Sequence, residues 1–131
     1  MIFIESIENI SPLYKGPIEY FNLSKFSAFV LGKEVGYTSF VIKEDELYIE
    51  LISVNSKYRR YGIAYITFML SIHFSNKTKI YTNGLSKTGR LFMNKLSDKG
   101  ILVISDDCNL EVTPIGIQTA KDIYNNYLIE Q

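Results

Sequence analysis

Val54-Asn55-Ser56-Lys57-Tyr58-Arg59-Arg60-Tyr61-Gly62-Ile63-Ala64 joins two segments of different periodicity. Before it, Leu47 to Val54 alternates; after it, Ile63 to Phe74 is apolar nearly all round. The spacing predicts a strand, a basic glycine-containing turn and a helix. Such a turn leaves the first N–H groups of the helix without intrahelical acceptors, and the helix dipole adds partial positive charge there. Gly62 lets an anion approach the backbone, while Lys57, Arg59 and Arg60 add full charges. Phosphate is the anion that such turns usually hold. By itself, Arg59-x-x-Gly62-x-Ala64 is a short pattern that recurs by chance. An ordinary strand-to-helix turn with solvated arginines would read the same. The rest of the chain decides between them.

The chain has 131 residues, the size of one domain with a real core, and is read as a single domain over 1–131. Hydrophobic residues make up 47% of it and aromatics 14%, a globular composition. No apolar run reaches the roughly 20 residues of a membrane helix, so no membrane partner is expected. Met1 to Ile4 is followed at once by Glu5 and Glu8, which argues against a signal peptide. Cys108 is the one cysteine, so no internal disulfide can form, and a reducing, cytoplasmic setting is expected. One Cys and one His do not make a zinc site of the usual kind, so no metal is expected.

The net charge is zero but unevenly placed. Residues 57–99 hold nine cations against Asp98 alone, a net of +8, and the segments on either side are each at −4. A positive middle suits a polyphosphate ligand or nucleic acid; a set of solvated lysines is the plainer alternative.

Taken in order, Met1 to Ile4 reads as a short strand. Pro12, Gly16 and Pro17 break the next stretch, where Ile18 to Leu23 could form a helical turn or two. Phe26 to Leu31, Val35 to Ile42 and Leu47 to Val54 read as three strands of an antiparallel meander, with turns at Gly32-Lys33-Glu34 and Glu44-Asp45-Glu46. The helix from Ile63 should be buried against this sheet. Lys79 to Thr82 reads as a strand, so strand, helix and strand make a βαβ unit with parallel strands. Ser86 can cap a helix from Lys87 to about Ser97 with Leu91, Phe92 and Leu96 inward, and Lys99-Gly100 closes it. Ile101 to Ile104 and Leu110 to Thr113 read as a hairpin, and Ile115 to Ile129 as a final amphipathic helix. The fold class is α+β: a mixed sheet, antiparallel through residue 54, flanked by helices.

This order resembles the GNAT superfamily of N-acetyltransferases, across residues 26–104 and most sharply from Val54 to Ala64. The family's phosphate-binding motif is Arg or Gln, two residues, Gly, one residue, then Gly or Ala, which Arg59, Gly62 and Ala64 match. The resemblance implies acetyl-CoA as cosubstrate. Its pyrophosphate would lie on the amides of Arg59, Arg60, Tyr61, Gly62, Ile63 and Ala64. Its pantetheine arm would pair with a strand splayed or bulged near Ile52, Ser53 and Val54. After the next strand the family often has Asn, two residues, Ala, then an apolar residue and Tyr three and four later. Ser86, Gly89, Phe92 and Met93 stand there, so Ser86 can still hydrogen-bond the cofactor arm and Arg90 can face its phosphates. Met93 replaces a Tyr that protonates the leaving thiolate, and Met has no proton to donate.

Acetyl transfer to a primary amine of a protein or small molecule needs the amine neutral, so a base or a water relay must take a proton. Glu50 lies on the strand before the motif, where the family often places that base; Glu46 is a weaker candidate, and Glu50 reads equally as an outward strand residue. His73 and Cys108 read as structural and inert. A rival reading is a winged-helix DNA-binding regulator, with Ser86 to Ile104 as recognition helix and wing and with Lys87, Arg90, Lys95 and Lys99 on phosphates. It leaves residues 26–64 unexplained. A third is a GNAT-like domain that binds or inhibits without catalysis. Nothing in the sequence names the acceptor or the oligomeric state.

Overall fold

Alternating strands build one seven-stranded sheet among residues 3–10 and 23–127, which the computed structural model describes. The strands are β1 (Phe3–Ile10), β2 (Leu23–Val30), β3 (Lys33–Lys43), β4 (Glu46–Val54), β5 (Lys79–Thr82), β6 (Leu102–Ile104) and β7 (Asn109–Val112). Their order is β1-β2-β3-β4-β5-β7-β6. β1 to β4 form an antiparallel meander, and β4 and β5 are parallel neighbours. β1 and β2 are longer than expected, β2 because polar Lys25 and Ser27 alternate with apolar Phe26 and Ala28. The expected helical turn at Ile18 to Leu23 lies outside the described residues, apart from Leu23, which opens β2.

The helix α1 (Ile63–Ser75) crosses one face of the sheet, over β2, β3 and β4. It is apolar all round because α3 (Pro114–Tyr127) packs on its other side, where His73 meets Tyr124 at 4.4 Å. Phe26 and Phe40 from the sheet close on Phe74 of α1, with ring centroids 5.8 Å apart in both pairs. A buried hydroxyl pair, Thr38 with Thr67 at 2.8 Å, ties β3 to α1 without leaving a polar group unpaired. α2 (Lys87–Asp98) starts at the Ser86 cap, whose Oγ accepts from the Gly89 amide at 3.0 Å. Gly100 ends it with φ +75°, as the sequence predicts. Its inward face is different from the expectation. Met93 and Leu96 are buried and Phe92 packs edge-on against Phe68, whereas Leu91 is 57% exposed. Three consecutive apolar residues leave the rotation of a helix open, and the fit against α1 chooses it.

Candidate functional site

Parallel pairing of β4 with β5 stops at Ile49 opposite Thr82. From there β4 runs on beside β3 alone, so among the described residues no strand pairs with Glu50 to Val54 on the β5 side. Such an edge is ready to pair with an extended ligand. Ile52, Ser53 and Val54 lie in this unpaired stretch. The bulge itself falls earlier, on Glu50: Ser39 faces Leu51 and Phe40 faces Ile49, leaving Glu50 as the extra residue.

The strand leads into a turn held by its own side chains. The Asn55 amide donates to Val35 O at 2.7 Å, and Asn55 Oδ1 accepts from the Lys57 amide at 3.1 Å. Arg59 Nε reaches back to Val54 O at 3.4 Å. Gly62 then precedes α1 in the left-handed region, φ +73°, and supplies no side-chain cap. The amides of Ile63, Ala64 and Tyr65 consequently have no acceptor within the helix, and no acidic residue lies in this first turn. A Cβ built on Gly62 would meet nothing within 4 Å, so the approach is open. Lys57, Arg59, Arg60 and Tyr61 are all exposed around it. Lys99, at the end of α2, places its ammonium 5.0 Å from the ring centroid of Tyr65 on α1. The sequence placed Lys99 in the basic segment but gave no sign that it meets Tyr65.

Not all of the basic segment gathers at this end. Lys79 sits opposite Glu46 and Glu111 at the start of β5, far along the strands from Gly62.

Gly36, which the sequence reading passed over, sets how closely α1 sits on the sheet. A Cβ there would lie 2.7 Å from Ile63 Cγ2 and 3.0 Å from Ser53 O. Its signal was a lone glycine inside a strand pattern. Gly36→Ala should push the first turn of α1 off β3 and cost about 1–3 kcal/mol, as overpacking does. Urea unfolding should show a lower midpoint with an unchanged slope.

On the face away from α1, Ser39 Oγ donates to Glu50 Oε2, so the bulged carboxylate is fixed beside the splay. Tyr37 lies on the same face, opposite Ser53. Burial above all, then the carboxylates of Glu50 and Glu34, push its phenol above the usual range.

An open strand edge feeding an uncapped helix start is also what the comparisons with solved structures return. An N-acetyltransferase of Thermoplasma acidophilum, PaiA, solved with coenzyme A, superposes with a TM-score of 0.54 at 9% identity, over 70% of this chain and 60% of that one. A soil-metagenome aminoglycoside acetyltransferase, solved with trehalose, gives 0.55 at 14%, over 74% of this chain and 86% of its own. A GNAT-family acetyltransferase from Staphylococcus aureus gives 0.50 at 13%, over 67% and 65%. The fold is that of the GNAT acetyltransferases. This chain spans less than two thirds of the Thermoplasma and Staphylococcus proteins. No protein-family model and no curated protein sequence matches it.

Against the GNAT pattern, α2 departs in three places. Ser86 Oγ already serves as the helix cap. Arg90 is ion-paired with Asp107 on the β6–β7 hairpin, so its charge is partly spent within the protein. Met93, at the usual Tyr position, is 1% exposed in the core cluster. Met93→Tyr should therefore lower stability by about 1–3 kcal/mol through overpacking, seen as a lower Tm. The GNAT arrangement also removes the winged-helix reading, because β5 is a central strand where that reading needs a helix. Among the described residues no group of three or more His, Cys, Asp or Glu is placed to hold a metal ion, and no helix is long and apolar enough to cross a membrane.

Proposed function

We propose that the chain transfers an acetyl group from acetyl-CoA to a primary amine of a protein or small molecule, as a single domain over 1–131. The observation that carries this reading is the continuity of the unpaired β4 edge with the uncapped, basic start of α1. The backbone of Ile52, Ser53 and Val54 would pair with the pantetheine arm. The amides from Arg59 to Ala64 would hold the pyrophosphate, with Lys57, Arg59 and Arg60 adding charge. By the resemblance, Ser86 would hydrogen-bond the cofactor arm and Arg90 would face its phosphates, though each already has a partner within the protein.

Acetyl-CoA supplies the activated thioester. Glu50 takes a proton from the acceptor's ammonium, directly or through water, and the neutral amine forms the new C–N bond. The C–S bond breaks as the tetrahedral intermediate collapses, and the surplus proton on the new amide nitrogen leaves to water or to the departing thiolate. A thiol pKa near ~8.5 lets the thiolate leave without an acid, which fits the buried Met93.

Incubation with labelled acetyl-CoA and a crude lysate of cellular amines and proteins should place label on an amine. Tight coenzyme A binding with no transferred label would overturn the enzyme reading in favour of a binding protein.

A further inference from the structure

The sheet face opposite α1 carries a row of polar side chains that the cofactor site does not use. It runs from Lys25 and Ser27 on β2, through Tyr37 and Ser39 on β3, to Glu50 on β4, with Glu34 at the start of β3. Ser27 Oγ donates to Glu34 Oε2 at 2.7 Å, and Lys25 Nζ lies 2.6 Å from the same oxygen. The same Lys25 ammonium stands 5.0 Å from the centroid of the Tyr37 ring. Ser27 and Ser39 are buried, so the floor of the row is built and not merely exposed polar surface.

Charge within the row is uneven. Lys25 neutralises Glu34, whereas Glu50 has the Ser39 hydroxyl and no ion pair among the described residues. One negative charge is left over, next to an electron-rich ring. Lys25 approaches that ring from the β2 side, and Glu50 comes from the β4 side. The chain's own ammonium thus demonstrates what the ring accepts. Burial and the two carboxylates keep the phenol protonated, so the ring retains the negative face that attracts cations. Lys57, Arg59 and Arg60, by contrast, make the start of α1 suited to anions. Two substrates of opposite charge would be sorted onto two different parts of the molecule.

Resting on the acetyltransferase reading above, we propose that Tyr37 is the specificity-determining residue of the acceptor site and selects a primary ammonium, held between its ring and the Glu50 carboxylate. Neutral or anionic acceptors of the same shape gain neither contact.

The test is calorimetry on the full chain saturated with coenzyme A, with n-butylamine and its neutral isostere n-butanol as probes at neutral pH. Butylammonium should bind and butanol should bind more weakly. Tyr37→Leu should weaken the amine about 5- to 30-fold, the worth of a partly desolvated cation–π contact, and leave butanol unchanged. Tyr37→Phe should keep most of the amine affinity, since the ring remains. Lys25→Met should tighten the amine, because it removes a competing ammonium and frees the Glu34 charge. Equal binding of the two probes, no binding of the amine at millimolar concentration, or an equal loss in Tyr37→Phe and Tyr37→Leu would each overturn the proposal. Failure of the wild-type chain to bind coenzyme A would instead overturn the acetyltransferase reading, which the same titration reports separately.

Discussion

Gly62→Glu is expected to leave the protein folded and to weaken coenzyme A binding by about 10³-fold. Gly62 lies at φ +73° immediately before α1, and the space above it is open. A glutamate there would direct a carboxylate into the space proposed for the pyrophosphate. Two like charges about 4 Å apart, at an effective dielectric near 20, repel by about 4 kcal/mol, which is nearly three decades of affinity. Any side chain at this φ also carries strain of about 1–2 kcal/mol, so the charge effect needs a control. Gly62→Asn supplies it, because Asn tolerates the left-handed region and is neutral. Calorimetry should show Asn close to wild type and Glu far from it. A folded Gly62→Glu protein with unchanged affinity would reject the site.

Glu50→Gln separates binding from chemistry. Gln keeps the length of the side chain and an oxygen to accept from Ser39 Oγ, so the bulge should survive. If Glu50 is the base, kcat should fall by about 10²–10⁴-fold while coenzyme A affinity holds, the usual worth of a positioned base. If Glu50 is only a strand residue, the substitution should change stability by no more than about ±0.5 kcal/mol and leave the rate alone. Steady-state kinetics, once an acceptor is found by label transfer, decides between these outcomes.

Several features were legible in the residues because short-range physics decides them. The alternation of Leu47 to Val54, the all-round apolar run from Ile63, the glycine-containing turn before it and the glycine stop at 100 are local facts, and β4, α1 and the end of α2 follow from them. The βαβ order then required β5 to lie parallel beside β4. The bulge was not legible. A period of two reads smoothly through Glu50, and only its pairing against Ser39 and Phe40 makes it the extra residue. The inward face of α2 was open for a similar reason, since Leu91, Phe92 and Met93 are all apolar and packing alone buries Met93. The basic middle segment is a sum along the chain. Folding sends Lys79 to the far end of β5 and brings Lys99 over the Tyr65 ring. Tyr37 carried no motif at all. Its role comes from neighbours on three strands, with Lys25 twelve residues before it in sequence and Glu50 thirteen residues after it. Cross-strand register, which depends on where every strand begins and bends, is what places those charges around one ring.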